Sequence, residues 1–168
     1  LGIEKMTHGG LALALVAAAL ASFVLGLGLA TTAVYAVVGT LIAPSLINLG
    51  LPVISAHLFV FYSAMLSMIT PPVAIACLAA SGVANASFWQ TSVTALRFGW
   101  SLFLLPYLFV MNPALLLLDT PLNIVTTAVF CFTGVAALSH VIGRSARDWT
   151  DHMQNLATVV ASTMALIP

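Results

Sequence analysis

Long apolar stretches, broken at a few sharply defined points, dominate the pattern along the chain. Residues 11–29 form one helix-capable run, entered through Gly9 and Gly10 and closed by Gly26 and Gly28. Residues 31–49 form a second, followed by the turn Gly50-Leu51-Pro52. Between them lies no charged side chain, only Gly26-Leu27-Gly28-Leu29-Ala30-Thr31-Thr32. A connection in water would normally be polar, so glycines, apolar residues and hydroxyls suit a tip held at membrane depth. The pattern predicts a re-entrant helical hairpin over residues 11–49.

The third element covers residues 55–83, longer than one crossing needs, and is interrupted by Thr70-Pro71-Pro72. A proline removes a backbone donor and clashes with the preceding turn, and a second one pushes the first out of helical geometry. This predicts a discontinuous helix. Irregular backbone is tolerated inside a membrane only where protein covers it or a cavity adjoins it, so residues 67–72 are expected to face something polar. Residues 84–97, with Asn85, Ser87, Trp89, Gln90 and Arg97, read as an interfacial segment. Residues 98–118 and 122–142 read as transmembrane helices around the turn Asp119-Thr120-Pro121, the first interrupted by Pro106 and Asn112-Pro113. A polar stretch with Arg144, Arg147, Asp148 and Asp151 precedes a terminal helix at residues 152–167. Residues 1–168 thus form a single transmembrane domain. The chain begins with Leu1 and shows no signal peptide, and is read as a fragment of a longer polypeptide.

Composition decides the solvent. Hydrophobic residues make up 62% and charged residues 5% of the chain, against roughly a quarter charged in a soluble domain. The fold class is therefore an all-α, polytopic membrane bundle in contact with the lipid bilayer. A soluble enzyme and a disordered tail are excluded. Four Lys plus Arg balance four Asp plus Glu and form no basic patch able to track phosphates, so no nucleic-acid partner is expected. Basic residues near helix ends stay in the cytoplasm, which places Arg97, Arg144 and Arg147 inside and Asp119 outside. The turn at residues 50–53 then lies outside, and the hairpin opens outward.

The two interruptions form the candidate site: Gly26, Gly28, Thr31 and Thr32 on one side, Ser67, Thr70, Pro71 and Pro72 on the other. Transporters build midplane sites from broken helices, with half-helix N-termini for anionic groups and unwound carbonyls for sodium. The simpler alternative treats the glycines as packing contacts and the prolines as a kink. Catalysis finds no support: Ser139-His140 lacks an orienting carboxylate, and no zinc motif or carboxylate pair occurs. His57 and His140 read as polar residues near span ends, and Cys77 and Cys131 as small buried hydrophobes. The alternative to coupled transport is a channel or a structural membrane subunit. A channel should show a ring of charge or a repeated filter sequence, and neither is present.

Four ordered motifs carry a resemblance. They are the tip sequence continued through Ala33-Val34-Tyr35, then Ala56-His57-Leu58-Phe59-Val60-Phe61-Tyr62, then Ile69-Thr70-Pro71-Pro72-Val73-Ala74, and Phe109-Val110-Met111-Asn112-Pro113-Ala114. Over residues 1 to 120, and more loosely beyond, the chain resembles the fused permeases of tripartite ATP-independent periplasmic (TRAP) transporters of the TAXI type. The resemblance implies a sodium-driven importer of small organic acids in the bacterial inner membrane. It also implies a TAXI-type periplasmic solute-binding protein as partner and an elevator movement. The chain would be the second of two inverted halves, completed by an upstream half of the same permease. Sodium would be the coupling ion, with no other cofactor. Its site would lie where the hairpin tip meets the broken helix, at Gly26, Gly28, Thr31, Thr32, Thr70, Pro71 and Pro72, with Thr31, Thr32 and Thr70 as ligands. Two positions depart from the family pattern: Ala30 stands where proline is usual, and Met68 where aspartate is frequent.

Overall fold

The computed structural model describes residues 9–143. Eight α-helices and two short 3-10 turns account for most of this span, and no strand occurs among the described residues. The protein is an all-α membrane bundle. Helix α1 (Gly9–Gly26) is apolar on every side, and α2 (Thr31–Leu41) follows after a short link that turns at Gly28. Gly28 has φ +94°, a left-handed conformation that side-chain-bearing residues adopt only at a cost. The expected helical run to residue 49 is divided: α2 ends at Leu41 and α3 (Ala43–Asn48) begins anew. Pro44 sits in the first turn of α3, where its missing N–H costs nothing, but it could not continue α2.

Helix α4 (Val53–Met65) is the hub, since α1, α2, α3 and α7 all pack on it. Its buried positions Ser55, Ala56, Phe59, Val60, Ser63 and Ala64 form two adjacent rows at four-residue spacing, and no residue from 55 to 65 is exposed, as a helix with neighbours on several sides requires. A 3-10 turn at Leu66–Met68 unwinds it, and α5 (Ile75–Ala84) resumes the helix after a non-helical stretch containing a cis Pro71–Pro72 bond. Thirteen and ten residues respectively, neither α4 nor α5 alone reaches across a hydrocarbon core of about 30 Å.

Beyond α5, the region expected as interfacial is the helix α6 (Phe88–Phe98), with Arg97 in its last turn where the carbonyl ends favour a cation. Helix α7 (Ser101–Met111) stops at Asn112-Pro113, and a 3-10 turn at Pro113–Leu116 takes up part of the sequence expected to continue the crossing. By length and composition Thr31–Asn48 and Phe88–Met111 could each cross a membrane, and within the second α6 ends at Phe98 before α7 begins at Ser101. Helix α8 (Pro121–Gly143) closes the described part. Just before it, Asp119 accepts from Thr120 N at 2.6 Å and from the Asn123 side chain. Arg144, Arg147 and the helix expected over residues 152–167 lie outside the described residues.

The core gathers around α4: Val34 and Val38 from α2, Ala43 and Leu46 from α3, Phe59 and Val60 from α4 and Val110 from α7 are buried. Phe59 also meets Tyr107 edge-on, with ring centroids 5.3 Å apart. Lipid is as apolar as these side chains, so dispersion and close fit hold the helices together and the transfer from water contributes little. Replacing Phe59 with alanine should therefore cost about 2 kcal/mol, the cavity contribution without the full transfer term. Reversible unfolding of the purified protein in mild detergent would measure this, with Phe132→Ala on the exposed side of α8 as a near-neutral comparison.

Candidate functional site

The site is assembled where the end of α1 meets the unwound end of α4. Ala18, Ser22 and Gly26 follow one another four residues apart, and all three are buried. At Gly26 a Cβ would collide with the carbonyl oxygen of Ala64 and stand 2.7 Å from Ser67 Oγ, a separation that real Cβ atoms do not show. Glycine thus lets the last turn of α1 reach the point where α4 begins to unwind. After the turn at Gly28, α2 opens with Thr31, whose Oγ1 donates to Met68 Sδ at 3.6 Å. The tip therefore touches the interruption of α4 at two places, Gly26 against Ala64 and Ser67, and Thr31 against Met68.

Further along α2, Tyr35 packs on Phe61, its hydroxyl lies 3.1 Å from His57 Nδ1, and Gly39 adjoins His57. The successive partners Met68, Phe61 and His57 show that α2 runs antiparallel to α4. His57, expected as an interfacial residue, thus has a side-chain partner on the neighbouring helix.

On the other side of the site the hydroxyls turn back to the main chain. Ser67 Oγ donates to Ala64 O, and Thr70 Oγ1 to Leu66 O, both at 2.7 Å. A hydroxyl has one proton and two lone pairs, so with that proton committed each oxygen can only accept. The carbonyls of Pro72 and Val73 accept no hydrogen bond among the described residues. Pro71 and Pro72 cannot donate at all, and Ala74 is held at φ +36° before α5 begins. The interruption is a concentration of uncharged oxygen acceptors.

Of the expected residues, Gly26, Thr31 and Ser67 are brought together through Ala64 and Met68. Thr32 is exposed at the start of α2, Gly28 has open space beside it, and Pro72 is exposed. Thr70 lines a cavity shared with α1 and α7. Sequence reasoning missed the carbonyl of Ala64 and the pairing of Tyr35 with His57. A main-chain oxygen leaves no trace in composition, and the pair depends on how α2 lies across α4.

Residues 3–124 match the family described as Tripartite ATP-independent periplasmic transporter, DctM component. That is well over half of the chain. The protein belongs to this family. No curated protein and no solved structure matched the chain. The TRAP permease family consists of membrane transporters, and the match covers the tip, the interruption and the start of α8.

The tight approach at Gly26 generates a direct test. With Cys77→Ala and Cys131→Ala as background, a thiol introduced by Thr31→Cys should react slowly with a membrane-permeant maleimide while the tip rests on α4. Adding Gly26→Ala should raise the labelling rate severalfold, because the new methyl must push α1 away from Ala64. Gly82→Ala, where a Cβ meets nothing within 4 Å, should leave it unchanged.

Proposed function

We propose that the chain is the part of a TRAP permease that couples sodium entry to the uptake of small organic acids, delivered by a TAXI-type periplasmic solute-binding protein. In this reading residues 11–49 form a re-entrant hairpin opening outward in the bacterial inner membrane. The chain is one of two inverted halves of an elevator-type transport unit, and the missing half lies upstream in the same polypeptide. Thr31, Thr32 and Thr70, with the carbonyls beside Pro71 and Pro72, bind the ion, while Gly26, Gly28 and Ser67 shape the approach.

The observation that carries the reading is the meeting of the tip with the unwound end of α4, through Gly26 against Ala64 and Ser67 and through Thr31 against Met68. Hydroxyls whose protons are already committed, beside carbonyls with no partner, present oxygen lone pairs, and hard cations take oxygen ligands. A neutral donor set also avoids the cost of an unpaired buried charge in the absence of the ion. The Met68 thioether is a soft ligand suited to other metals, so it takes no part in binding sodium. Its role here is the contact with Thr31. The exposed Thr32 at the first turn of α2 is close in sequence to that contact and accessible from outside the bundle.

Transport by the full-length permease with its binding protein tests this. Thr70→Val and Thr32→Val keep shape and remove the hydroxyl oxygen. Each should raise the sodium concentration for half-maximal uptake by about tenfold, corresponding to about 1.4 kcal/mol, with membrane insertion preserved. Uptake that ignores sodium in the parent protein, or a sodium dependence untouched by both substitutions, would refute the assignment.

A further inference from the structure

Helices α1 and α7 both seat on α4 without packing extensively on each other. Between them lies a cavity of about 300 Å³. Its walls are mostly hydrocarbon: Val16, Leu20 and Phe23 on α1, Leu66 at the end of α4, and Phe103 and Tyr107 on α7. We propose that this cavity binds one acyl chain of a membrane phospholipid.

Three features select that occupant. The lining contains no charged side chain, so it offers nothing to neutralise a carboxylate or a phosphate, and a headgroup would be buried unpaired at high cost. Serine, threonine and tyrosine are the polar residues in the wall, and Thr70 has already directed its hydroxyl proton to Leu66 O. The mouth is continuous with the exposed apolar side of α1. Val16 is 47% and Leu20 62% exposed, and Leu13 and Val24 carry the same apolar surface further along the helix. A helix with side chains is about 10–12 Å across and does not fit a gap of this volume. A flexible chain entering from the bilayer does, and it restores the dispersion contacts that an empty gap would forfeit.

The site touches the first arm of the tip, the interruption at Thr70 and α7 at Pro106, whose missing N–H cannot pair with the carbonyl one turn before it. An inserted chain therefore wedges α1 at a fixed distance from α7.

The test uses the full-length permease in vesicles of phosphatidylethanolamine and phosphatidylglycerol doped with phosphatidylcholine that carries a diazirine in one acyl chain. After illumination, peptide mass spectrometry should find adducts on Leu20, Phe23 and Phe103 in excess over Val125 and Val129, which are exposed on α8. Ala19→Phe, which fills the cavity from α1, should cut the cavity adducts by about tenfold and leave those on α8 unchanged. Ser63→Leu repeats the test from the α4 wall, and only variants that elute as the parent does are compared. Equal labelling of the cavity and α8, or cavity labelling indifferent to both substitutions, would overturn the proposal by reducing it to bulk lipid contact. So would a crosslink from a photoreactive group at Ala19 to another segment of the permease, which would make the occupant a protein side chain.

Discussion

The close approach of α1 to α4 at Gly26 is the contact on which the arrangement rests. Within a bilayer, helices gain little from hiding apolar surface from one another, because lipid offers the same solvent. What remains is fit, and fit at short range requires small residues. Ala18, Ser22 and Gly26 supply them along one face of α1, and the last of the three admits no methyl group against the Ala64 carbonyl. Once α1 ends there, the short link must turn at Gly28, and α2 starts beside Met68. It then runs back along α4 past Phe61 and His57. The order of these contacts follows from where one glycine allows two backbones to meet.

The interruption of α4 solves a different problem. Two prolines remove two donors, and the backbone around them loses its helical partners in an environment that supplies none. Part of the compensation is local: Thr70 returns its hydroxyl to Leu66, Ser67 to Ala64, and Cys77 Sγ lies 3.6 Å from the carbonyl of Ile69. These bonds fix donors onto acceptors already present and leave the carbonyls of Pro72 and Val73 without partners among the described residues. An excess of acceptors over donors is thus built into the sequence Thr70-Pro71-Pro72. It gives the break its chemical character independently of which ion or group meets it.

Features governed by local chemistry were legible in the sequence. The turn at Gly28, the break at Pro71-Pro72 and the end of α7 before Asn112-Pro113 all follow from residues whose backbone preferences are strong. Composition likewise sufficed for the all-α membrane class, and the motif order for the TRAP family. Pro44 shows how far local reading can fall short: it was present within an apolar run, yet its division of that run into α2 and α3 went unread because proline fits the first turn of a helix as readily as it ends one. Contacts across the bundle were not legible. Nothing in the spacing of Tyr35 and His57 says that they meet, and the gap between α1 and α7 exists only because both helices lean on α4.

Ala74 places a limit on how the permease can diverge. Its φ of +36° lies in the left-handed region, where glycine, asparagine and aspartate are most at ease. Its side chain is also completely inaccessible, which penalises the two polar candidates unless a partner stands ready. Larger apolar residues fail on both counts, through the backbone and through lack of room. The position is left with an alphabet of alanine and glycine, and change elsewhere in the motif must accommodate it. Drift at this joint is channelled through a two-letter choice, while exposed neighbours such as Pro72 and Ile75 answer to the bilayer or to other parts of the transporter.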